Sequence, residues 1–379
     1  MKIVFLSNYY NHHQAPFSEE MYKLIGDSYI FIETRLIEAE RKAMGWAISQ
    51  YPSFVKKSYE SKEEMNKCIQ DVINADVVII GSAPERFIKE RIQKGKLVFR
   101  YSERPLKNGI EPLKYPLRWI RWHLRNPKKK PIYMLCASAY TSIDYAKFGL
   151  FKGRCYKWGY FPKLKNYENI ENVLYSKRSN TILWVSRLIK LKHPEVPLII
   201  AKRLKIEGYN FSLTLIGIGP MEDMVREYII NNNLNDCVKL LGSMSPEEVR
   251  LQMEQSEVFL FTSDKREGWG AVLNESMNSA CAVIANSAIG SVPFLIRDGE
   301  NGLIYKDGNI DELYEKVTFL LNNHKELKEM GRNAYYSIAE SWNEVVATKR
   351  LLQLFGEIEK FNSSTIFSEG PCSKAENNY

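Results

Sequence analysis

The sequence predicts an α/β protein made of two doubly wound parallel-sheet domains. Three observations carry this expectation. The chain has 379 residues, more than a single hydrophobic core ordinarily organises. Short apolar runs rich in Val, Ile, Leu and Phe recur at 3–7, 76–81, 97–101, 181–185, 213–216 and 258–262, and such runs read as strands buried on both faces. Stretches of helical character lie between them, and strand–helix alternation implies parallel sheets.

Composition narrows the class. With 45% hydrophobic and 26% charged residues the chain is globular. No apolar run approaches the ~18 residues of a membrane span, and residues 2–6 read as a first strand rather than a secretion signal, so a cytoplasmic protein is expected. Cysteines 68, 136, 155, 237, 281 and 372 are scattered with no Cys-x-x-Cys pair, which argues against structural zinc and for free thiols. The first five read as small buried hydrophobes, and Cys372 as an exposed residue of a polar tail. The net charge of +8 is uneven: residues 1–165 carry +14 and residues 166–379 carry −6. That asymmetry suggests one half faces an anionic partner.

Taken in order, 3–7 is strand, followed by the loop NYYNHHQAP over 8–16. It lacks the Gly-x-Gly-x-x-Gly of a nicotinamide or flavin site. His12, His13 and Gln14 either contact an acceptor or donor at this strand end or form a capped, solvated loop. Residues 17–25 read as helix and 29–33 as strand, whereas 34–68 is ambiguous. Strand 76–81, helix 84–94 and strand 97–101 follow. Glu103 and Arg104 lie just beyond a strand's carboxyl end, as an acceptor-side or catalytic loop would. Residues 112–130 contain seven Lys and Arg and no acid. Leu117, Ile120 and Leu124 share a helix face there, Arg118, Arg121 and Arg125 flank it, and Trp119 and Trp122 add interfacial rings. This pattern suits an in-plane membrane helix on an anionic inner surface. Nucleic acid is a weaker partner, because no nucleic-acid motif accompanies the patch. Strand 131–135, helix 140–148 and strand 156–160 complete the first half, and a polar linker runs from 162 to about 180.

The second half opens with strand 181–185. Ser245 followed by Pro246, Glu247 and Glu248 reads as a helix N-cap with proline at the first helical position. The stretch that carries chemistry is 263–275, SDKREGWGAVLNE. It links strand 258–262 to a helix over 271–280. A glycine-bearing turn before a helix N-terminus offers the amides of Gly268, Trp269, Gly270, Ala271 and Val272 to a phosphate. Glu267 in the turn and Glu275 on the helix would repel that anion, so they are assigned to sugar hydroxyls, for which a carboxylate is acceptor-only. A nucleotide-sugar satisfies all three features. Strand 282–285, turns at 290–291 and 299–302, helix 309–321 and closing helices at 325–340 and 342–361 follow.

Glu267 and Glu275, with the Gly-Trp-Gly step and the run LNESM at 273–277, resemble the paired-glutamate motif of retaining glycosyltransferases of family 4. The resemblance covers about 130–350 well and 1–130 in outline. It implies the GT-B fold: two Rossmann-like domains facing across a cleft, with the last helix crossing back to the first. The expected boundaries are 1–165 for the acceptor domain, 166–345 for the nucleotide-sugar domain, 346–362 for the crossover helix and 363–379 for a flexible tail. Arg187 and Lys192 match the family's basic loop, which neutralises the donor diphosphate, although His193 stands where the family has glycine. Gly217 and Gly219 match a turn that lets base or phosphate approach, and Ser243 and Met244 a loop facing the nucleobase. Retention of configuration is implied, with Glu267 holding the donor sugar and Glu275 the ribose.

No Asp-x-Asp occurs, so no metal and no cofactor are expected, and Arg187 and Lys192 would stabilise the leaving group. The expected partners are a nucleotide-sugar, UDP-linked in preference to GDP-linked, and a saccharide or lipid-linked acceptor of a surface or capsular polysaccharide, met at the inner face of the cell membrane. Two alternatives stay open: a nucleotide-sugar epimerase of the same architecture, and a non-catalytic membrane or polyanion binder indifferent to loss of Glu267 or Glu275.

Overall fold

The computed structural model describes residues 1–38, 48 and 50–375. The chain divides into two compact units, one formed by Met1–Lys163 with Asn343–Tyr379, the other by Leu164–Trp342.

The first unit is built on seven strands, β1 (Ile3–Ser7), β2 (Tyr29–Glu33), β3 (Val55–Lys57), β4 (Val77–Ile80), β5 (Val98–Ser102), β6 (Ile132–Cys136) and β7 (Cys155–Lys157). Their order is β3-β2-β1-β4-β5-β6-β7, and every pair is parallel. Strands β1, β2 and β4 are buried at every residue, as helix-covered parallel strands must be. Helices Ala15–Ile25 and Glu344–Phe361 pack together in this unit, and Phe355 of the latter meets Phe99 of β5 at 4.8 Å. Within the ambiguous 34–68 region, β3 and a helix Lys62–Asn74 form, the helix capped by Ser61. The expected 84–94 helix is broken into a 3-10 turn Glu85–Phe87 and a short helix Lys89–Gln93.

The second unit has six strands, β8 (Arg178–Val185), β9 (Ser212–Ile216), β10 (Val238–Leu240), β11 (Ser256–Phe261), β12 (Ala282–Asn286) and β13 (Leu303–Tyr305). Their order is β10-β9-β8-β11-β12-β13, again all parallel. Its core joins Ile182, Trp184, Leu213, Leu215, Val258, Leu260 and Ile284 from the strands to Leu204, Val225 and Val317 from the helices. The capping box at Ser245–Glu248 forms, with Pro246 in the first helical turn.

Three expectations are corrected. The polar linker contains a helix, Ile170–Ser176, because Ile170 and Leu174 supply a buried face against Ala280 and Tyr335. Residues 363–375 of the tail are ordered. Ser364 and Cys372 are buried, Lys374 forms an antiparallel bridge to Tyr156 of β7, and its Nζ bonds the Tyr156 hydroxyl at 3.0 Å. Cys372 is therefore a core thiol rather than an exposed one, and burial pushes its pKa well up. In the basic segment, helix Tyr115–Arg125 forms, but Trp122 faces the domain, with its ring 4.5 Å from Phe148 and 4.9 Å from Tyr145. Among the described residues no helix is long and apolar enough to cross a membrane.

Candidate functional site

In a doubly wound sheet the ligand crevice opens where strand order reverses, beyond the carboxyl ends of the strands. In the second unit that point lies between β8 and β11, which pair directly. The loop after β8 carries Arg187 and Lys192, and the loop after β11 carries Glu267. Lys192 and Glu267, expected to serve the phosphate and the sugar separately, meet in the structure. Lys192 Nζ donates to Glu267 Oε2, and both side chains are largely buried. Ser263 Oγ donates to the same carboxylate oxygen at 3.2 Å. Arg187 is exposed.

Residues that sequence reasoning missed hold this pair in place. Trp184 of β8 donates its indole N–H to Thr262 Oγ1 at 2.8 Å. That hydroxyl in turn donates to the Lys192 carbonyl at 2.8 Å. The Asp264 amide donates to the Leu191 carbonyl at 2.9 Å. The two loops are thus locked by a chain of hydrogen bonds, of which the buried Trp184–Thr262 bond would leave an unsatisfied polar group if broken.

His193 adopts φ 52°, ψ 58°, the left-handed conformation that the family's glycine reaches without cost. A non-glycine residue there costs about 1–2 kcal/mol. The ring offsets this: Nδ1 lies 2.7 Å from Glu195 Oε1 and Nε2 lies 3.2 Å from Asp264 Oδ2. The Glu195 hydrogen bond, opposed by burial, raises the His193 pKa. Burial alone would raise the Asp264 carboxyl, but hydrogen bonds from Arg266 and His193 outweigh it and hold its pKa down. Glu195 is likewise held low by His193 against the effect of burial.

Gly217 and Gly219 also let a neighbouring loop pass close by. Their φ values are 141° and 156°. A Cβ on Gly217 would stand 1.8 Å from the Ser186 carbonyl oxygen, and one on Gly219 would stand 2.5 Å from that of Leu188. The space at each Cβ position is taken by the neighbouring loop. The close approach lets backbone pairing run past the strand ends: Ser186 N–H to Ile216 O at 3.0 Å, Leu188 N–H to Ile218 O at 2.9 Å, and Gly217 N–H to Gly242 O at 2.7 Å. That last bond fixes the loop bearing Ser243 and Met244, of which Ser243 is exposed and Met244 half-buried.

In the glutamate stretch, the helix is Val272–Asn278, shorter than expected, with Ala271 at its N-cap. Ala271 is buried and Val272 half-buried. Gly270 has φ 79°, and a Cβ there would meet the Phe261 ring at 2.3 Å. The Trp269 side chain is fully buried. Its indole donates to Asn274 Oδ1 at 2.8 Å, and its ring packs on Phe294 and Trp342. It is a core residue, so only its backbone can line a site. Glu275 is half-buried. Burial, opposed by Arg250, raises its carboxyl pKa. Arg250 clamps the helix end through the Glu275 carbonyl at 3.0 Å and through Asn278 Oδ1 and Ser279 Oγ, both at 3.1 Å.

In the first unit the corresponding reversal lies between β1 and β4. His12 and His13 have ring centroids 3.9 Å apart, and His13 lies 5.6 Å from Tyr160. Tyr160 donates to Glu103 Oε1 at 2.8 Å, so β1's loop, β5's end and the segment after β7 converge. Gln14 donates to Ser7 Oγ at 3.1 Å, while its carbonyl oxygen is buried without a hydrogen bond. Arg104 is drawn away from this cluster: it pairs with the fully buried Asp144 at 3.2 Å and lies over Tyr140. The two partners stand 40 residues apart, so their contact is not visible from either loop alone.

Two parallel-sheet Rossmann-like units define the GT-B class of architecture. HepE of Anabaena, solved in complex with UDP, superposes with TM-score 0.70 at 15% identity over 94% of this chain and 100% of that one. The pneumococcal O-GlcNAc transferase GtfA, solved with UDP and GlcNAc, has TM-score 0.67 at 12% identity, covering 94% and 99%. Residues 166–336 match the family described as Glycosyl transferases group 1. An uncharacterized glycosyltransferase of Methanocaldococcus jannaschii is 33% identical over 142 residues, 37% of this chain and 40% of that protein. The amylovoran biosynthesis glycosyltransferase AmsK of Erwinia amylovora is 26% identical over 178 residues, 46% and 44%. The chain thus spans about two fifths of the length of these curated relatives. Through its second unit it is related to group 1 glycosyltransferases, among them enzymes named for polysaccharide biosynthesis.

Proposed function

We propose that the protein is a retaining glycosyltransferase of family 4 that moves a sugar from a nucleotide-sugar, UDP-linked in preference to GDP-linked, to a saccharide or lipid-linked saccharide of a surface or capsular polysaccharide. The observation that carries this reading is the meeting of Lys192 and Glu267 at the β8–β11 reversal, with Arg187 on the same loop as Lys192. A cation and a carboxylate held side by side suit a ligand that offers phosphate oxygens next to sugar hydroxyls. On donor arrival Lys192 turns part of its hydrogen bonding from Glu267 to the diphosphate, and Glu267 accepts from the donor sugar's hydroxyls. One cation within 4 Å of a phosphate contributes attraction of about 4 kcal/mol at an effective dielectric of 20. Arg187 adds a second, so the leaving nucleoside diphosphate is stabilised by fixed charge rather than by metal. Glu275 takes the ribose hydroxyls, and the amides of residues 268–272 supplement the phosphate contacts. Support for a uridine donor comes from HepE and GtfA, both solved with UDP. Support for a polysaccharide product comes from the name of AmsK.

The test is thermal stabilisation of the purified protein by UDP-, GDP- and ADP-sugars in the presence of EDTA. A ligand at 100 times its Kd adds about 2.7 kcal/mol. Stabilisation by a UDP-sugar that is lost in Glu275→Ala, followed by transfer of labelled sugar to a saccharide acceptor, is the expected result. Absence of stabilisation by every donor, with EDTA or with added divalent metal, would sink the reading.

A further inference from the structure

The basic helix of the first unit is mounted with its apolar stripe outward. At about 100° per residue, Leu117, Ile120 and Leu124 lie within an arc of about 60°, and Tyr115 and Trp122 lie on the opposite side. The Tyr115 and Trp122 side is the one that packs: Tyr115 stacks on Phe148 at 4.7 Å and donates to the Lys147 carbonyl at 3.0 Å, and Trp122 meets Tyr145 and Phe148. The stripe meets solvent. Leu117 is 71% exposed, Ile120 50% and Leu124 78%, and Leu113 in the turn before the helix is 94% exposed. None of the eleven residues of the helix is buried. A stripe of branched aliphatic residues turned to water on an aromatically anchored helix is an interaction surface rather than scatter.

We infer that this stripe inserts into the interface of a lipid bilayer bearing anionic phospholipids. Charge identifies the occupant. Arg121 flanks the stripe and is exposed, as are Lys128 and Lys129 beyond the helix. Acids near the segment are committed: Glu111 pairs with Lys114, Glu85 with Arg100 and Arg125, and the buried Asp144 with Arg104 and Lys147. Apolar side chains beside cations match acyl chains beneath phosphodiester headgroups. A second copy of the chain fits poorly, because pairing stripe to stripe would set the same cations against one another. A nucleic acid would leave the leucines in water. The segment connects β5 to β6 and begins beyond the carboxyl end of β5, the ligand-facing end of its sheet. Docking there would bring a lipid-linked acceptor to that end; this last consequence, unlike docking itself, rests on the transferase reading.

The test is co-sedimentation of the full chain with vesicles of phosphatidylcholine alone and with part of it replaced by phosphatidylglycerol, without nucleotide or acceptor. Binding should require the anionic lipid and fall with salt. Arg121→Glu with Lys128→Glu and Lys129→Glu should weaken it by at least about 100-fold, at about fivefold per cation removed. Leu117→Ser with Ile120→Ser and Leu124→Ser should abolish binding while leaving thermal unfolding and donor stabilisation nearly unchanged, since each of these side chains is at least half exposed. Equal sedimentation with both vesicle types, insensitivity to the serine variant, or concentration-dependent dimerisation without vesicle binding would overturn the inference. Donor stabilisation is read separately, so failure of the transferase reading would not be mistaken for failure of docking.

Discussion

At the reversal of its strand order the Leu164–Trp342 unit presents an ion pair, Lys192 with Glu267, set between loops zipped together by backbone hydrogen bonds. At the same topological point the Met1–Lys163 unit presents rings and neutral acceptors: His12, His13, Tyr160 and Gln14, with Glu103 held by the Tyr160 hydroxyl. The sheets are wound alike. What differs is the loop after the first strand, which has cations and close-packed glycine neighbours in one unit and neither in the other. Winding fixes where a ligand can bind, and the side chains of that loop decide whether it is an anion or an uncharged hydroxyl-bearing group.

The largest expected effect comes from removing the close approach found in the second unit. Gly217→Ala places a Cβ against the Ser186 carbonyl at φ 141° and should destabilise that unit by about 4 kcal/mol or more. Gly208→Ala, also at positive φ but with open space around its Cβ, should cost only about 1 kcal/mol; urea midpoints compare them. Next comes the charge itself. Lys192→Ala should lower kcat/KM by about 100- to 1000-fold and weaken donor stabilisation, whereas His13→Ala should leave donor stabilisation intact. Equal losses in both variants would erase the distinction between the two reversal points. Trp184→Phe removes the indole donor that orients Thr262 and through it Lys192. It should cost about 1–2 kcal/mol of stability, read from denaturant unfolding.

The smallest effect is a pH slope. His193 has a raised folded pKa, so its pairing contributes fully below its unfolded value of about 6.5 and is lost as pH rises through the folded value. Asp264 and Glu195 have depressed values, so their contribution is present above their unfolded values of about 3.9 and 4.3 and is lost on acidification. The network should be strongest between about pH 4.5 and 6.5. His193→Gly should relieve the left-handed conformation and flatten the alkaline side of the profile in thermal unfolding measured across pH.

The strands were legible because each is an apolar run too short for a helix, and the paired glutamates because Gly268 and Gly270 bracket a turn after such a run. Other features were hidden by separation in sequence. Lys192 and Glu267 stand 75 residues apart, and nothing in either loop announces their contact. Trp269 lends its backbone amide to the turn between two glycines, but the burial of its ring against Phe294 and Trp342 is set by residues far along the chain. Gly217 and Gly219 were visible as glycines, but whether the missing Cβ makes room for a ligand or for another loop is decided by backbone the sequence does not display. The tail of Ser and Asn residues looked unstructured because its partner, Tyr156 at the sheet edge, lies more than 200 positions earlier.

The return of the chain at Asn343 also sets a timetable. The first unit is interrupted by residues 164–342, 179 in number. During synthesis the β5 face and the β7 edge must wait for them. At about 5–20 residues per second the wait is roughly 10–35 s. Over that interval Phe99 lacks the cover of Phe355, and the edge at Tyr156 lacks Lys374. The nascent first unit therefore offers a sticky edge that only the far end of the same polypeptide closes, and a chain cut short before Glu344 would leave the ribosome with its earliest-made half unsealed.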